Sequence, residues 1–176
     1  MNRLVEPWSE VWVDERLGVF ESPIEGSGLF FTEDVPQGTV VIRLGGRLVS
    51  SAELDLLIRE AVALPTSAYV DTITVYEDAH LVLPSATPVH FCNHSCDPNL
   101  WLVGPYELAT RRPASAGDEA TTDYATFSGA DGFAMDCCCG TVGCRNVISS
   151  ADWQRADLQA RYEGHWSAAL QARIGP

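Results

Sequence analysis

The 176-residue chain contains no lysine; all eleven of its basic residues are arginine, set against 24 acidic ones. Such arginine-only usage hints at a GC-rich genome. The net charge of −13 argues against a protein that tracks nucleic-acid phosphates, which needs a basic face. No apolar run reaches the roughly 18 residues of a membrane helix. The opening residues, Met1 to Trp8, lack the apolar stretch of a secretory signal. A soluble intracellular protein is expected, with no direct nucleic-acid or membrane partner. It would be cytoplasmic in a bacterial host, with the nucleus equally open in a eukaryote. Internal repeats, low-complexity tracts and the His-Glu-x-x-His pattern of an open catalytic zinc are also absent.

What is present suffices for a core. Hydrophobic residues make up 46% and charged residues 20%, which disfavours wholesale disorder, and the length fits one domain with a small appendage. Of the acidic residues, 21 lie in residues 1–144 beside seven arginines, so the acidity belongs to the main domain. It reads equally as a solvated surface or as attraction for a cationic partner such as a basic peptide.

Short apolar runs separated by turn residues predict a β-dominated domain. Val11–Val13, Leu17–Phe20, Leu29–Phe31 and Thr39–Ile42 are strand-like, with turns at Ile24–Gly28 and Pro36–Gly38. Ser50, three residues before Glu53, predicts a capped helix that carries Leu54, Leu57, Ile58 and Ala61 and ends at Pro65. Strands are expected again from Tyr69 to Tyr76, at Leu81–Leu83, Leu100–Val103 and Tyr106–Thr110, with a turn over Pro113–Gly117. Residues 128–136 read as a flexible join. Leu158, Tyr162, Trp166, Leu170 and Ile174 form an i, i+4 stripe, an amphipathic helix with a break at Gly164. Its aromatic residues read as packing, against this domain or a second copy.

Six cysteines in an intracellular chain read as metal ligands or free thiols before disulfides. In the run from Cys137 to Cys144, residues 137 and 139 point the same way in an extended segment while Cys138 points elsewhere. Gly140 and Gly143 let the backbone turn so that Cys144 supplies a third thiolate. A closed tetrahedral zinc needs a fourth ligand. Residue chemistry alone leaves Cys92, Cys96, His80, His90, His94 and His165 open for that place, and a redox pair is the competing reading.

Three further motifs occur in order: Gly26-Ser27-Gly28-Leu29-Phe30, then Phe91-Cys92-Asn93-His94-Ser95-Cys96-Asp97-Pro98-Asn99, then Gly117 to Tyr124 ending in Asp123-Tyr124. With the cysteine run they resemble the SET-domain protein lysine methyltransferases and that family's post-SET zinc motif, over roughly residues 15–146. The resemblance implies a mostly β fold, a β-clip of small curved sheets with a pseudoknot at the Asn-His-Ser-Cys segment. It divides the chain into a SET domain over 10–130, a post-SET zinc segment over 131–148 and a C-terminal amphipathic helical segment over 149–176. It implies Cys96 as the fourth ligand of a structural Zn²⁺ with Cys137, Cys139 and Cys144, leaving Cys92 and Cys138 outside the site. S-adenosylmethionine is the implied methyl donor, held by Gly26, Ser27, Gly28 and Leu29, by the Asn93 side chain, by the His94 backbone and by Tyr124. The two glycines would admit the cofactor where a Cβ would clash.

Tyr124 resembles the family's channel tyrosine, the implied catalytic residue, with Tyr69 and Tyr76 as further contact candidates. Thr122 stands where many members carry Phe or Tyr to limit the number of methyl groups added. The pocket is then roomier, or Trp101, Tyr106 or Phe127 fills it. The implied substrate is a basic, lysine-containing protein or peptide, and it is another molecule because this chain has no lysine to modify. The rival reading is a catalytically silent, zinc-stabilised SET module that binds a protein partner.

Overall fold

The computed structural model describes residues 5–64, 70–129 and 132–175. In chain order it begins with β1 (Trp12–Val13), β2 (Leu17–Glu21), β3 (Ser27–Phe31), β4 (Val40–Arg43) and β5 (Arg47–Val49). Helix α1 (Ser51–Ala63) precedes β6 (Thr72–Tyr76), β7 (Ala79–Val82), β8 (Leu100–Leu102), β9 (Glu107–Thr110) and β10 (Glu119–Ala120). The C-terminal part holds β11 (Ala134–Asp136), β12 (Val147–Ser149), α2 (Ala156–Arg161) and α3 (Ala168–Ile174).

The strands form four small antiparallel sheets, ordered β1-β4-β9-β8, β10-β3-β2, β5-β7-β6 and β11-β12. Each is too short to bury a face alone, so the three larger sheets share one core that includes Leu29, Phe31, Ile42, Leu81, Leu100 and Leu102, while β12 buries Ile148. Ile73, Thr74 and Val75 of β6 are buried consecutively because α3 packs on the strand.

Helix α1 starts where the capping box predicts: Ser50 Oγ accepts from Glu53 N, and Glu53 Oε2 accepts from Ser50 N at 2.9 Å. Leu54 and Ala61 are its buried residues, whereas Ile58 is exposed. The expected end at Pro65 and the strand start at Tyr69 lie outside the described residues.

The apolar stripe of the C-terminal segment is divided between two helices. Helix α2 stops at Arg161, Gly164 takes a positive φ of 76°, and Ser167 caps α3 by accepting from Leu170 N. Leu158, Tyr162, Trp166 and Leu170 still converge in a second buried cluster, around Ala125 of the same chain.

One segment departs from expectation. Residues 134–136, read as flexible, form β11 and pair with β12 in the register Met135↔Ile148. Ala-Met-Asp carries little strand preference. The pairing follows from its partner, whose Ile148 is fully buried, and it brackets the cysteine loop between two hydrogen-bonded strands.

The segment around Asn93 crosses beside the one before Tyr124. Thr122 N donates to Asn93 O at 3.1 Å, and Ser95 N to Thr122 O at 3.0 Å. Asn99 clamps the crossing, donating to Glu119 O and accepting from Thr121 N, both at 2.9 Å.

Candidate active site and metal centre

Tyr124 opens a short 3-10 turn, Tyr124–Thr126, whose first residue is aimed by its cap. The Asp123 carboxylate accepts from Ala125 N at 3.0 Å, and its carbonyl accepts from Thr126 N at 3.0 Å. The Tyr124 hydroxyl donates to Cys92 O at 2.9 Å, and its ring lies between His94 and Phe127, with centroids 5.4 and 5.7 Å away. Beside it is a cavity of about 170 Å³, walled by Ile73, Leu83, Cys92, Thr122 and Phe127 among others. Burial pushes the Cys92 thiol up to about 12, so it stays neutral in that wall.

Of the three rings considered for the space at Thr122, Phe127 lines the cavity. Trp101 instead stacks on His165 at 3.4 Å, and Tyr106 is buried with its hydroxyl donating to Val5 O at 2.6 Å. Tyr76 is not among the lining residues; its hydroxyl accepts from Val5 N at 3.3 Å. Tyr69 lies outside the described residues.

The glycine loop meets Asn93. Asn93 Nδ2 has four oxygens within 3.3 Å: Ser22 Oγ, Glu25 O, Ser27 O and Glu119 Oε1. An amide nitrogen carries only two hydrogens, so acceptors outnumber donors in this cradle. Gly26 has a positive φ of 48°, a conformation that favours glycine. A Cβ on Gly28 would collide with the Glu119 carboxylate, so the demand at that position comes from a side chain 91 residues away. Leu29 is fully buried in the main core, which leaves its backbone as its only route to a bound molecule.

The sulfurs of Cys96, Cys137, Cys139 and Cys144 all lie within 4.8 Å of one another, and the Cys96–Cys137 separation is 3.7 Å. Zinc–thiolate bonds of about 2.3 Å give a tetrahedron with edges of about 3.8 Å, so this donor set fits Zn²⁺. Main-chain N–H groups surround the cluster: Cys96 N faces Cys139 Sγ at 3.5 Å, Arg145 N faces Cys96 Sγ at 3.3 Å, and Asn146 N faces Cys144 Sγ at 3.4 Å. Burial raises Cys96 and Cys137. At Cys139 burial acts the same way but is outweighed by donors from Thr141 and Cys96, which bring it down to about 6. Cys92 and Cys138 stand outside the cluster.

A buried ionic junction joins these parts, and sequence reasoning missed its basic member. Arg145 forks onto Asp123, Nη1 to Oδ2 and Nη2 to Oδ1, both at 2.7 Å. Its Nε lies 3.1 Å from Asp152 Oδ2. Tyr162 donates to Asp123 Oδ2 at 2.9 Å, and burial with the Asp123 charge raises its phenol. His94 is lowered to about 4, mainly by burial, so its ring is neutral. The one available signal was the Cys144-Arg145 adjacency, which places a cation beside the last thiolate of the loop.

Comparison with known proteins follows this geometry. The SET domain family profile matches residues 26–125, more than half of the chain. The histone-lysine N-methyltransferase trithorax of Drosophila virilis is 32% identical over 144 residues, covering 76% of this chain and 4% of that protein. This chain thus spans a small part of that relative's length. The methyltransferase domain of human SETMAR superposes with a TM-score of 0.59 at 21% identity, covering 74% of this chain and 56% of that one. KRYPTONITE, solved with mCHG DNA and SAH, superposes at 0.55 and 20% identity, covering 74% and 28%. The profile match over more than half of the chain settles the family: the chain belongs to the SET-domain family.

Proposed function

We propose that this protein transfers a methyl group from S-adenosylmethionine to the side-chain amine of lysine in another protein. The observation that carries the reading is the placement of Tyr124 in the wall of a mostly apolar cavity that Asp71 and His90 also line, next to the crossing that also holds Asn93. Trithorax is named as a histone-lysine methyltransferase and the KRYPTONITE structure contains SAH, the demethylated donor, and both support the reaction class. KRYPTONITE's DNA is not carried over, because a chain with net charge −13 has little to offer a phosphate backbone.

The donor is a cation, and the acceptor-rich cradle of Glu25 O, Ser27 O and Glu119 around Asn93 fits it. When bound, S-adenosylmethionine supplies an electrophilic methyl on a sulfonium sulfur. A lysine amine has a pKa of about 10.4, so about one in several thousand is neutral at pH 7. Apolar walls such as Ile73, Leu83 and Phe127 disfavour the ammonium and hold the amine in line. The amine nitrogen forms the new N–C bond as the S–C bond breaks, and its proton leaves to solvent. Tyr124, its hydroxyl donating to Cys92 O, orients the amine and polarises the transferring methyl.

The four-cysteine cluster would hold a structural zinc, which closes the loop against the crossing and offers no open coordination position. Tyr124→Phe tests the assignment. Turnover with labelled donor and basic protein acceptors should fall about 100-fold or more, with folding and zinc content unchanged. Full activity in that variant would remove Tyr124 from the reaction.

A further inference from the structure

Two routes tie Tyr124 to the cysteine loop. The first runs through His94. Nδ1 accepts the Tyr124 N–H at 3.2 Å, and Nε2 faces Cys96 Sγ at 3.4 Å. The second is ionic. Arg145 directly follows Cys144, donates its N–H to Cys96 Sγ, and reaches Asp123 with both terminal nitrogens. Asp123 in turn caps the turn that Tyr124 begins.

We propose that Arg145 is a positioning residue for Tyr124, carrying the placement of the cysteine loop to the channel tyrosine through Asp123. The proposal rests on the reading of Tyr124 as the channel tyrosine. Arg145 does not line the cavity, and its side chain reaches Tyr124's turn through Asp123.

The geometry favours a positioning device over a simple staple. Each Asp123 oxygen receives two donors: Oδ1 from Arg145 and Ala125 N, Oδ2 from Arg145 and Tyr162. One carboxylate rotation would release both the cap on Tyr124's turn and the fork to the loop. A guanidinium matches a carboxylate with two parallel bonds and fixes its plane, which an ammonium cannot do. The junction is sealed: the Arg145 side chain is 5% exposed and that of Asp123 0%. Arg161 adds a hold from outside, donating to Cys96 O at 2.8 Å.

The test compares wild type, Arg145→Lys, and the double variant Asp123→Asn with Arg145→Gln. The double variant removes both charges of the fork; Asp152 then loses its cation but keeps the Ser149 hydroxyl at 3.2 Å, so the variant should fold and keep its zinc. Arg145→Lys keeps the charge without the fork. Bound zinc is measured by a colorimetric chelator, hydrogen exchange over residues 122–128 by mass spectrometry, and kinetics with S-adenosylmethionine and a basic protein acceptor. The expected result in both variants is wild-type zinc content, exchange over 122–128 about tenfold faster, and kcat about tenfold lower, with KM for the donor changed less than about threefold. Wild-type exchange and wild-type kcat in both variants would overturn the proposal. So would zinc loss in both, which would make Arg145 a support of the loop alone. If wild type itself methylates no acceptor, the reading of Tyr124 fails, and the exchange over 122–128 still decides what Arg145 does.

Discussion

The two sides of Tyr124 are built on opposite terms. Behind its backbone, Asp123, Arg145 and Tyr162 form a buried junction in which each carboxylate oxygen of Asp123 has two donors, while Arg145 Nε and Asp152 Oδ2 meet at 3.1 Å as an ion pair without a hydrogen bond. In front of its ring, the cavity is walled by Thr72 and Thr122, whose hydroxyls are buried and have no hydrogen-bond partner among the described residues. A buried hydroxyl left unpaired costs about 1–3 kcal/mol, so most folds avoid the second arrangement. The contrast separates scaffold from site: the saturated side holds a position, and the unsaturated side is a place where a ligand's polar atoms can enter.

Breaking the cysteine loop to which the saturated side is tied should have the larger effect. Cys139→Ser removes one of four sulfurs, and zinc per chain measured by atomic emission should fall from near one to near zero, with a lower melting temperature. Because Cys96 Sγ faces both Arg145 N and His94 Nε2, protection from exchange should fall at Tyr124 as well as in the loop. Unchanged zinc content in this variant would rule out a four-cysteine site. Sharpening the unsaturated side is a smaller change. Thr122→Val keeps the shape and removes the unpaired hydroxyl, so urea denaturation should show a gain of about 1 kcal/mol. A loss of stability instead would show that Thr122 Oγ1 already has a partner, such as an ordered water.

Much of this was legible in the chain, because it rests on local chemistry. The capping box at Ser50 and Glu53, the break at Gly164 and the run from Cys137 to Cys144 each depend on neighbours in sequence. What escaped depends on partners far away. Residues 134–136 have no strand pattern of their own and became β11 only by pairing with β12. Gly28 was expected to make room for a cofactor, and the structure puts the Glu119 carboxylate against it. Arg145 drew no reading from sequence, since nothing within several residues shows that Asp123, Asp152 and Tyr162 converge on that point. The aromatic stripe was read as packing, which Tyr162 satisfies; its hydroxyl also completes Asp123, a second role that periodicity does not encode.

The central claim is that the cradle at Asn93 and the cavity at Tyr124 together form a methyl-transfer site, and its first requirement is the donor. Calorimetric titration of S-adenosylmethionine into zinc-loaded protein tests this without knowledge of the acceptor. The account predicts saturable binding with one site per chain, lost in Asn93→Ala while the fold is kept. Absence of binding to folded, zinc-loaded protein, with or without basic peptides present, would contradict it.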